Sequence, residues 1–493
     1  MIRKMRSGFP KGSCSNLKGR EAVMQSPADI LNDLWTSIGG DKAALERVRL
    51  TGEEPQIPSS FRVAVAGQTT IAAAGLAAAE IWRLRGGGPQ DVSVDMRHAV
   101  AECRSERYLR LDDKPPPPAW DAIAGVYKTG DNRFVRCHTN FPHHRDAVCN
   151  VLGCEPERDK VQAALMQWKG EDFETAAYAA GGVVALMRSY DEWSALPQAR
   201  ALAELPLVSI EKIGEAPPKP WPQGLSNGDR PLSGLRVLDL SRVIAGPVAG
   251  RTLAAHGADV LLVSGPELPA IPWLTIDTGR GKLTTLVELR SEAGRAQLRE
   301  LLKGADIFSQ GYRPRALAAL GFAPEDAANI NPGIVYVTLS AYGHAGPWAE
   351  RRGFDSLVQT TTGFNHAEGQ AAGIDGPKEL PAQMLDHATG YLMAFGAMMA
   401  KARQAREGGS WHVRVSLAQT GRWLWNLGRL DGGLDTPDLT GEAVHAAFIE
   451  AMPSGFGTLK AVRHSALLST TPGRWSRPAM PLGSHPPQWP ARN

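Results

Sequence analysis

The sequence has few cysteines and little net charge, and each shortage excludes a class of protein. Its five cysteines are few and odd in number for 493 residues, which argues against a disulfide framework. The 54 basic and 51 acidic residues leave a net charge of only +3, too small to indicate nucleic-acid binding. No G-x-G-x-x-G and no P-loop motif occurs, so the usual dinucleotide and nucleoside-triphosphate signatures are missing.

Apolar runs of the length that a membrane span requires are also missing from the sequence pattern, so we expect no transmembrane segment. Residues 1–23 are basic and lack an apolar h-region, which predicts that they are not a signal peptide. With no disulfide pattern either, the sequence predicts a reduced, cytoplasmic location.

What is present is the composition of a chain with a substantial buried core: 43% hydrophobic and 21% charged residues. The length allows two or three domains. Changes in composition predict an N-terminal extension over 1–58, a first part over 59–213 and a Pro- and Gly-rich linker over 214–230. A second part follows over 231–430, and a C-terminal tail over 431–493.

Beyond residue 231, strand and helix patterns alternate. The predicted strands are LRVLDLS, ADVLLV, KLTTLVEL, ADIFSQ and GIVYVTLSAYG. Gly257 is placed to end the first helix, and Ser291 to cap the helix SEAGRAQLRELLKG. Strands separated by helices form a parallel sheet with helices on both faces, and such sheets bind ligands at the carboxyl ends of their strands. The predicted fold class is therefore α/β.

The first part has a different pattern. It begins with a long alanine-rich helix pattern, TTIAAAGLAAAEIWRLRGGG, followed by the alternating strand DVSVDM. The segment GVYKTGDNRFVRCH is typical of a β-hairpin, because TGDN supplies turn residues between two β-rich runs. Helix patterns fill most of 143–205. These features predict a smaller α+β region.

A short repeat links the two parts. GGPQDVSVDM at 87–96 matches GGSWHVRVSL at 408–417, and each follows an alanine-rich helix pattern. The second helix, ELPAQMLDHATGYLMAFGAMMA, has Asp386 near its start, whereas at the same distance before its strand the first copy has Val65. An Asp at a helix start is ordinarily a cap for free N–H groups. Because the first copy has no acid there, we expect Asp386 to have a further role.

The second part resembles a known family. Four of its segments are PLSGLRVLDLSRVIAGPVAGRTLAAHGADVLLV, GRGKLTTLVEL, ADIFSQGYRPRALAALGF and INPGIVYVTLSAYGHAGPWAERRGFDSLVQTTTGF. They resemble, in the same order, segments of the family III CoA-transferases, the group of formyl-CoA and carnitine-CoA transferases. The first part resembles the family's smaller domain, here placed before the larger one. The resemblance implies a parallel-sheet, Rossmann-like CoA-binding domain plus a smaller α+β domain, in a rearranged family III CoA-transferase fold. It also implies an intertwined homodimer.

The resemblance further implies a covalent mechanism. The residue that matches the family's nucleophile is Asp386, which would attack an acyl-CoA thioester to give a mixed anhydride and then an aspartyl-CoA thioester. Backbone N–H groups at the helix start would hold this carboxylate ionised. Coenzyme A is then part of the substrate, a carboxylic acid is the acceptor, and no metal or other cofactor is expected.

The same matching gives expected contacts to coenzyme A. They are loop residues that follow predicted strands, with arginines suited to phosphate: Ile244, Ala245, Val287, Arg290, Gly311, Tyr312, Arg313 and Arg352. The chain departs from the family pattern at Ser264, Gly265, Gly311 and Ala319, where many relatives have charged or amide side chains. We therefore expect at least two phosphate contacts to be missing.

Three other interpretations fit parts of the sequence. The family's α-methylacyl-CoA racemases use a His before the Asp of a G-x-D turn, and this chain has Phe354 there, so a second base for proton transfer is lacking. A zinc site is suggested by His143, His144 and Cys149 with their neighbours Cys137, His138 and Cys154, but the spacings match no usual frame. A non-catalytic CoA-binding paralogue is the third interpretation.

Overall fold

The computed structural model describes residues 24–118, 120–221 and 225–491. Within these residues the helices are α1 Pro27–Ser37, α2 Val63–Leu84, α3 Met96–Glu102, α4 Ser105–Tyr108, α5 Pro142–Leu152, α6 Arg158–Leu165, α7 Gly170–Ala179, α8 Tyr190–Ser194, α9 Pro197–Ala203, α10 Ala245–Ala255, α11 Pro272–Thr278, α12 Glu292–Lys303, α13 Pro324–Ile330, α14 Asp355–Thr361, α15 Phe364–Ala371, α16 Met384–Glu407, α17 Leu417–Asn426 and α18 Gly441–Phe448. The strands are β1 Val48–Thr51, β2 Val92–Asp95, β3 Arg110–Leu111, β4 Gly125–Lys128, β5 Phe134–Cys137, β6 Val184–Leu186, β7 Ser209–Gly214, β8 Arg236–Leu240, β9 Asp259–Ser264, β10 Lys282–Leu286, β11 Ile307–Gln310, β12 Val335–Ser340, β13 Ser410–Ser416, β14 Ile449–Ser454, β15 Gly457–Val462 and β16 Leu467–Leu468.

The largest sheet has seven strands in the order β10-β9-β8-β11-β12-β13-β7. Neighbouring strands are parallel except β13 and β7, which pair antiparallel. The five predicted strands and the α/β class are thus confirmed. The sequence does not predict the edge strand β7, which comes from the first part of the chain. Along the chain, the strands proceed outward from β8 to β9 and β10 on one side of the sheet, and from β11 to β12 and β13 on the other side. The strand order therefore reverses between the neighbours β8 and β11, and ligand binding is expected at that point.

Helices α2, α10 and α16 lie at the centre of the core and are buried on almost every side. Gly390 lets α16 approach α10 closely, because a Cβ atom there would lie 2.5 Å from the backbone oxygen of Ala245. The predicted end of α10 is confirmed, since Gly257 follows it with a φ of 108°. The predicted cap of α12 is confirmed as well: Ser291 Oγ accepts the N–H of Gly294 at 3.0 Å.

Within the part of the chain that the structure describes, one helix is long and apolar enough, by length and composition alone, to cross a membrane. It is α2, and 94% of its apolar window is buried inside the protein. The expectation that no apolar run has this length is therefore wrong. The run is long because alanine-rich α2 packs against α1, α3 and α16, as a core helix does.

The repeat is visible in the backbone. β1 and β2 are parallel and are joined through α2, just as β12 and β13 are parallel and are joined through α16. Val65 is the third residue of α2 and Asp386 the third residue of α16. Each of these two backbone N–H groups donates to a carboxylate from an earlier segment. Glu54 Oε1 accepts the N–H of Val65 at 2.9 Å, and Asp355 Oδ2 accepts the N–H of Asp386 at 2.8 Å. The two helix starts are therefore held alike, but only one carries an acid.

The region over 120–205 forms a small α+β unit. Strands β4, β5 and β6 make an antiparallel sheet, which confirms the predicted hairpin. Helices α5, α6 and α7 cover it around a core that includes Cys137 and Cys149. The hydrogen bond from Arg352 Nη1 to Gly181 O, 3.2 Å long, links this unit to the loop before α14.

The tail over 431–491 packs on both parts. β16 pairs with β2, and β15 pairs with β3. His485 exchanges hydrogen bonds with the backbone of Thr284 in β10, at 2.9 and 3.1 Å. The chain division given above stays a prediction, and these contacts show that the first part, the second part and the tail are hydrogen-bonded to one another.

A buried polar network strengthens these connections. Arg251 of α10 donates to Asp277 Oδ2 at 2.7 Å and to Ser105 Oγ at 3.1 Å. Glu102 Oε1 lies 2.9 Å from His464 Nδ1 in the tail. The charged side chains are at most 2% exposed. Since removal of one member leaves a buried charge without its partner, the network favours this one arrangement of the three segments.

Candidate active site

A cavity of about 950 Å³ opens at the carboxyl ends of β8 to β12. All nine residues that the sequence analysis assigns to catalysis and CoA binding line it: Ile244, Ala245, Val287, Arg290, Gly311, Tyr312, Arg313, Arg352 and Asp386. They come from five segments that are distant in sequence. The sheet topology brings them together at the edge where parallel sheets bind ligands.

Asp386 lies in the first turn of α16 with 7% of its surface exposed. It does not cap the helix, because Asp386 is the third helical residue and the N-cap position belongs to Gln383. Its side chain lines the cavity, while its backbone N–H points to Asp355. The ordinary capping role is therefore filled by Asp355 from another segment, which leaves the Asp386 carboxyl available to the cavity.

The carboxyl groups of Asp386 and Asp355 form a buried acidic pair. Burial raises the pKa of Asp386 well above its usual range, and the nearby Asp355 and Glu106 carboxylates raise it further. Burial also raises the pKa of Asp355 to about 6, against the opposing hydrogen bonds from Asp386 N–H and Gln359. The expectation that helix N–H groups hold Asp386 ionised is thus wrong, because its own N–H serves Asp355.

His387, the neighbour of Asp386, lies on another side of the helix. Its Nε2 is 3.2 Å from Glu106 Oε2, and the ring is 1% exposed. His387 is not among the residues that line the cavity. Its geometry thus gives no second base beside Asp386, and the position that would supply one in a racemase is Phe354, which does line the cavity.

The turn between β8 and α10 forms the inner wall of the cavity. Val243 has a φ of 73°, a conformation that is strained for a β-branched residue. Ile244 is the N-cap of α10 but makes no side-chain cap, and Ala245 begins the helix. The start of α10 therefore presents backbone rather than side-chain groups to this wall.

The arginines of the cavity differ in their partners. Arg290 makes two hydrogen bonds to Glu288, at 3.0 and 2.8 Å, so its guanidinium is already engaged. Among the described residues, Arg242, Arg313 and Arg352 have no carboxylate partner. The departures Ser264, Gly265 and Ala319 also line the cavity. Positive charge is therefore available, but from fewer and different positions than the resemblance implies.

One wall comes from the small α+β unit, which the sequence analysis did not assign to the site. Phe141, His143, His144 and Tyr178 line the cavity. His138 stacks on Phe354 with ring centroids 3.8 Å apart. The Cys/His cluster was the available signal for this wall, but it suggested a metal. Within the described ranges, no group of three or more His, Cys, Asp or Glu side chains is placed to hold a metal ion.

Residues 232–432 match the family model described as CoA-transferase family III. The chain is 29% identical over 324 residues to an acetyl-coenzyme A transferase of Hypoxylon pulicicidum, covering 61% of this chain and 54% of that protein. It is 34% identical over 191 residues to the human succinyl-CoA:glutarate CoA-transferase, covering 36% of this chain and 43% of that protein.

A crystal structure of the Mycobacterium tuberculosis hypothetical protein Rv3272 is 31% identical, with a TM-score of 0.37, and the match covers 41% of this chain and 58% of that one. The chain thus spans about half the length of these relatives. The matched segment contains Asp386, its partner Asp355 and all eight expected CoA contacts. Over residues 232–432 the chain is therefore similar to CoA-transferase family III.

Proposed function

We propose that the protein is an acyl-CoA:carboxylate CoA-transferase that acts through Asp386. The observation that carries the proposal is the single carboxyl group in the first turn of α16, buried yet lining a cavity large enough for a CoA thioester. The curated relatives are named as acetyl-CoA and succinyl-CoA:glutarate transferases, which supports the same reaction type.

The reaction proceeds through two covalent intermediates on Asp386. The Asp386 carboxylate attacks the thioester carbonyl, a C–O bond forms, the C–S bond breaks, and CoA leaves as the thiolate. The thiolate then attacks the aspartyl carbonyl of the mixed anhydride, which releases the first acid as carboxylate and leaves an aspartyl-CoA thioester. An acceptor carboxylate reverses the two steps and leaves with the CoA. No proton is consumed, and no metal or further cofactor is required.

The surrounding residues have definite parts in this scheme. Asp355 accepts the Asp386 N–H and so fixes the start of α16. Phe354, Leu417 and Ala341 contribute apolar side chains to the cavity lining, which disfavours water beside the reactive anhydride. Arg313 and Arg352, which lack carboxylate partners in the described structure, are suited to CoA phosphates.

Trapping tests the covalent step. The protein is incubated with an acyl-CoA, treated with hydroxylamine or borohydride, and digested for peptide mass spectrometry. We expect modification of the peptide that contains Asp386, and none in Asp386→Asn protein. Turnover without any label on that peptide would refute the mechanism.

The racemase alternative has its own test. Phe354 cannot exchange a proton, so a 2-methylacyl-CoA in D₂O should keep its α-hydrogen when followed by NMR. Enzyme-dependent deuterium incorporation would favour racemisation over transfer.

The non-catalytic interpretation is refuted by transfer of CoA from any acyl-CoA to any acid in a screened panel.

The resemblance also implies a homodimer, which we keep as part of the proposal. The walls of the cavity, however, come from both parts of a single chain, since His143 and Asp386 both line it. A dimer would therefore add to the assembly without being needed to line this cavity.

A further inference from the structure

A buried glutamine beside the acidic pair has no part in the transfer steps written above. Gln359 lies in α14, four residues after Asp355, so the two side chains share one face of this helix. It is 1% exposed and is not among the described residues that line the cavity. Any effect of this side chain on Asp386 must therefore pass through other groups.

The first of these groups is the carboxyl of Asp355. Gln359 Nε2 donates to Asp355 Oδ1, and the backbone N–H of Asp386 donates to Asp355 Oδ2 at 2.8 Å. Both oxygens of Asp355 are thus hydrogen-bonded, whereas no donor among the described residues bonds the Asp386 carboxyl. When the pair holds a single proton, these bonds favour the charge on Asp355 and the proton on Asp386.

The second group is the irregular segment that leads into α16. Leu380 and Ala382 are at most 3% exposed and belong to no helix or strand, so their backbone groups need partners. Gln359 supplies them, because its Oε1 accepts the N–H of Leu380 at 3.0 Å and its Nε2 donates to the oxygen of Ala382 at 3.3 Å. One side chain therefore fixes both Asp355 and the path of the chain toward Asp386.

The charges around the pair favour the same distribution of protons. Burial, followed by the carboxylates of Asp355 and Glu106, raises the pKa of Asp386. Burial also raises the pKa of Asp355, but the hydrogen bonds from Asp386 N–H and Gln359 and the charge of His387 oppose that rise. Glu106 comes from α4 and lies 3.2 Å from the His387 ring nitrogen, so groups of α4, α14 and α16 all act on the pair.

We propose that Gln359 is a positioning residue for the transfer reaction, which holds Asp355 as the ionised acceptor of the Asp386 N–H and leaves the proton of the pair on Asp386. The inference rests on the proposed function and adds a residue to it. In the resting protein Asp386 is then a neutral acid. It becomes the attacking carboxylate when its O–H bond breaks and the proton passes to solvent water.

The first arm of the test is the pH dependence of kcat in wild type, Gln359→Met and Gln359→Glu. Methionine is of similar length but has no donor, so Asp355 takes up the proton more readily and Asp386 is ionised at lower pH. We expect the rising limb of kcat to move to lower pH in Gln359→Met. It should move to higher pH in Gln359→Glu, where a third carboxyl adds negative charge.

The same variants separate chemistry from binding. The plateau of kcat should fall on the order of 10-fold in Gln359→Met, because the entry to α16 loses two hydrogen bonds. The KM for the acyl-CoA should stay within about twofold of wild type, since Gln359 does not line the cavity. Should Gln359→Met fail to fold, Gln359→Glu still carries the test, because it keeps an acceptor for the Leu380 N–H.

Gln68→Met is the matched control. Gln68 is a fully buried glutamine of α2 whose Nε2 donates to the backbone oxygens of Thr51 and Val94, at 2.8 and 2.9 Å. Its loss should leave the limb in place. The double variant Gln359→Met with Asp355→Asn should show no shift beyond that of Asp355→Asn alone, because the effect of Gln359 passes through the Asp355 charge.

Two kinetic outcomes would overturn the proposal. A limb that stays in place in both Gln359 variants, whatever their kcat, would show that the side chain has only a structural role. A further shift of the limb in the double variant would show that the effect does not pass through Asp355.

A titration without turnover separates this inference from the proposed reaction. The protein is labelled with aspartate carrying ¹³C at Cγ, and the two signals are assigned with Asp355→Asn and Asp386→Asn. We expect Asp355 to ionise before Asp386 in wild type, and the interval between them to narrow in Gln359→Met. This result supports the inference even if no transfer is found, in which case only the proposed reaction fails. Transfer by the wild type with an unchanged interval in Gln359→Met would retain the reaction and reject the inference.

Discussion

At the scale of single residues, burial raises the pKa of Asp386 and the carboxylate of Asp355 raises it further. Removal of the Asp355 charge should therefore lower the pKa of Asp386. Attack on a thioester requires the ionised form of Asp386, and the raised pKa delays that ionisation. The transfer rate should therefore rise with pH across a limb that begins above the ordinary range of a carboxylic acid.

Asp355→Asn tests this coupling. An amide oxygen can still accept the Asp386 N–H, but the negative charge is gone, so the pKa of Asp386 should fall. We expect the rising limb of the kcat profile to move to lower pH, with the rate at high pH changed little. A limb that stays in place, or moves to higher pH, would contradict the prediction.

The same pair gives a stability prediction of defined sign. Both carboxyls have a folded-state pKa above the ordinary value of 3.8. Their contribution to stability is present below about pH 4 and is lost as the pH rises through about 6 for Asp355. Asp355→Asn should therefore raise the melting temperature relative to wild type more at pH 8 than at pH 4, measured by thermal denaturation at both values.

At the scale of elements, the repeat shows why the start of α16 can carry the proposed nucleophile, whereas the start of α2 is only part of the core. Glu54 and Asp355 hold α2 and α16 in the same way, and only the third residue differs, Val65 against Asp386. Val65 is fully buried in the core. A carboxylate at this place would be close to Glu54, whose Oε2 already accepts a hydrogen bond from Arg62 Nε at 2.7 Å.

Val65→Asp should therefore create no transferase site and should destabilise the fold. An unpaired buried charge costs several kcal/mol, which we expect as a loss of about 3–5 kcal/mol in the free energy of unfolding. Val65→Asn is the control, because the asparagine side chain has the shape of aspartate but no charge. This variant should lose less free energy of unfolding than Val65→Asp. The measurement is urea denaturation; equal losses in the two variants would show that the charge is not the cause.

Elements also show where sequence patterns suffice. The alternation of apolar strands with capped helices predicts β8 to β12, α10 and α12, because local periodicity and caps such as Gly257 and Ser291 determine them. β7 is not predictable in this way, since its place beside β13 depends on pairing across some 200 residues. The same holds for the wall with His143 and His144, which reaches Asp386 only through tertiary packing.

At the scale of the whole molecule, the buried network of Arg251, Asp277, Glu102 and His464 joins segments that sequence analysis separates. Each acid here is desolvated and held by a partner from another segment. The small unit in turn supplies one wall of the cavity that Asp386 lines. Function and folding therefore depend on the same long-range contacts, and neither part of the chain is expected to form the site alone.

The number of active sites per chain follows from the same geometry. One nucleophile per chain and a cavity lined within one chain imply one active site per chain, whether or not two chains associate. Titration with a trapped acyl-CoA should give about one label per chain. Light scattering would report the oligomeric state, for which the homodimer is our expectation. In mixtures of wild type with Asp386→Asn, unfolded and refolded together, activity should be proportional to the wild-type fraction. Two labels per chain, or transfer by purified Asp386→Asn, would reveal a second nucleophile, and a non-linear mixing curve would mean that the site is shared between chains.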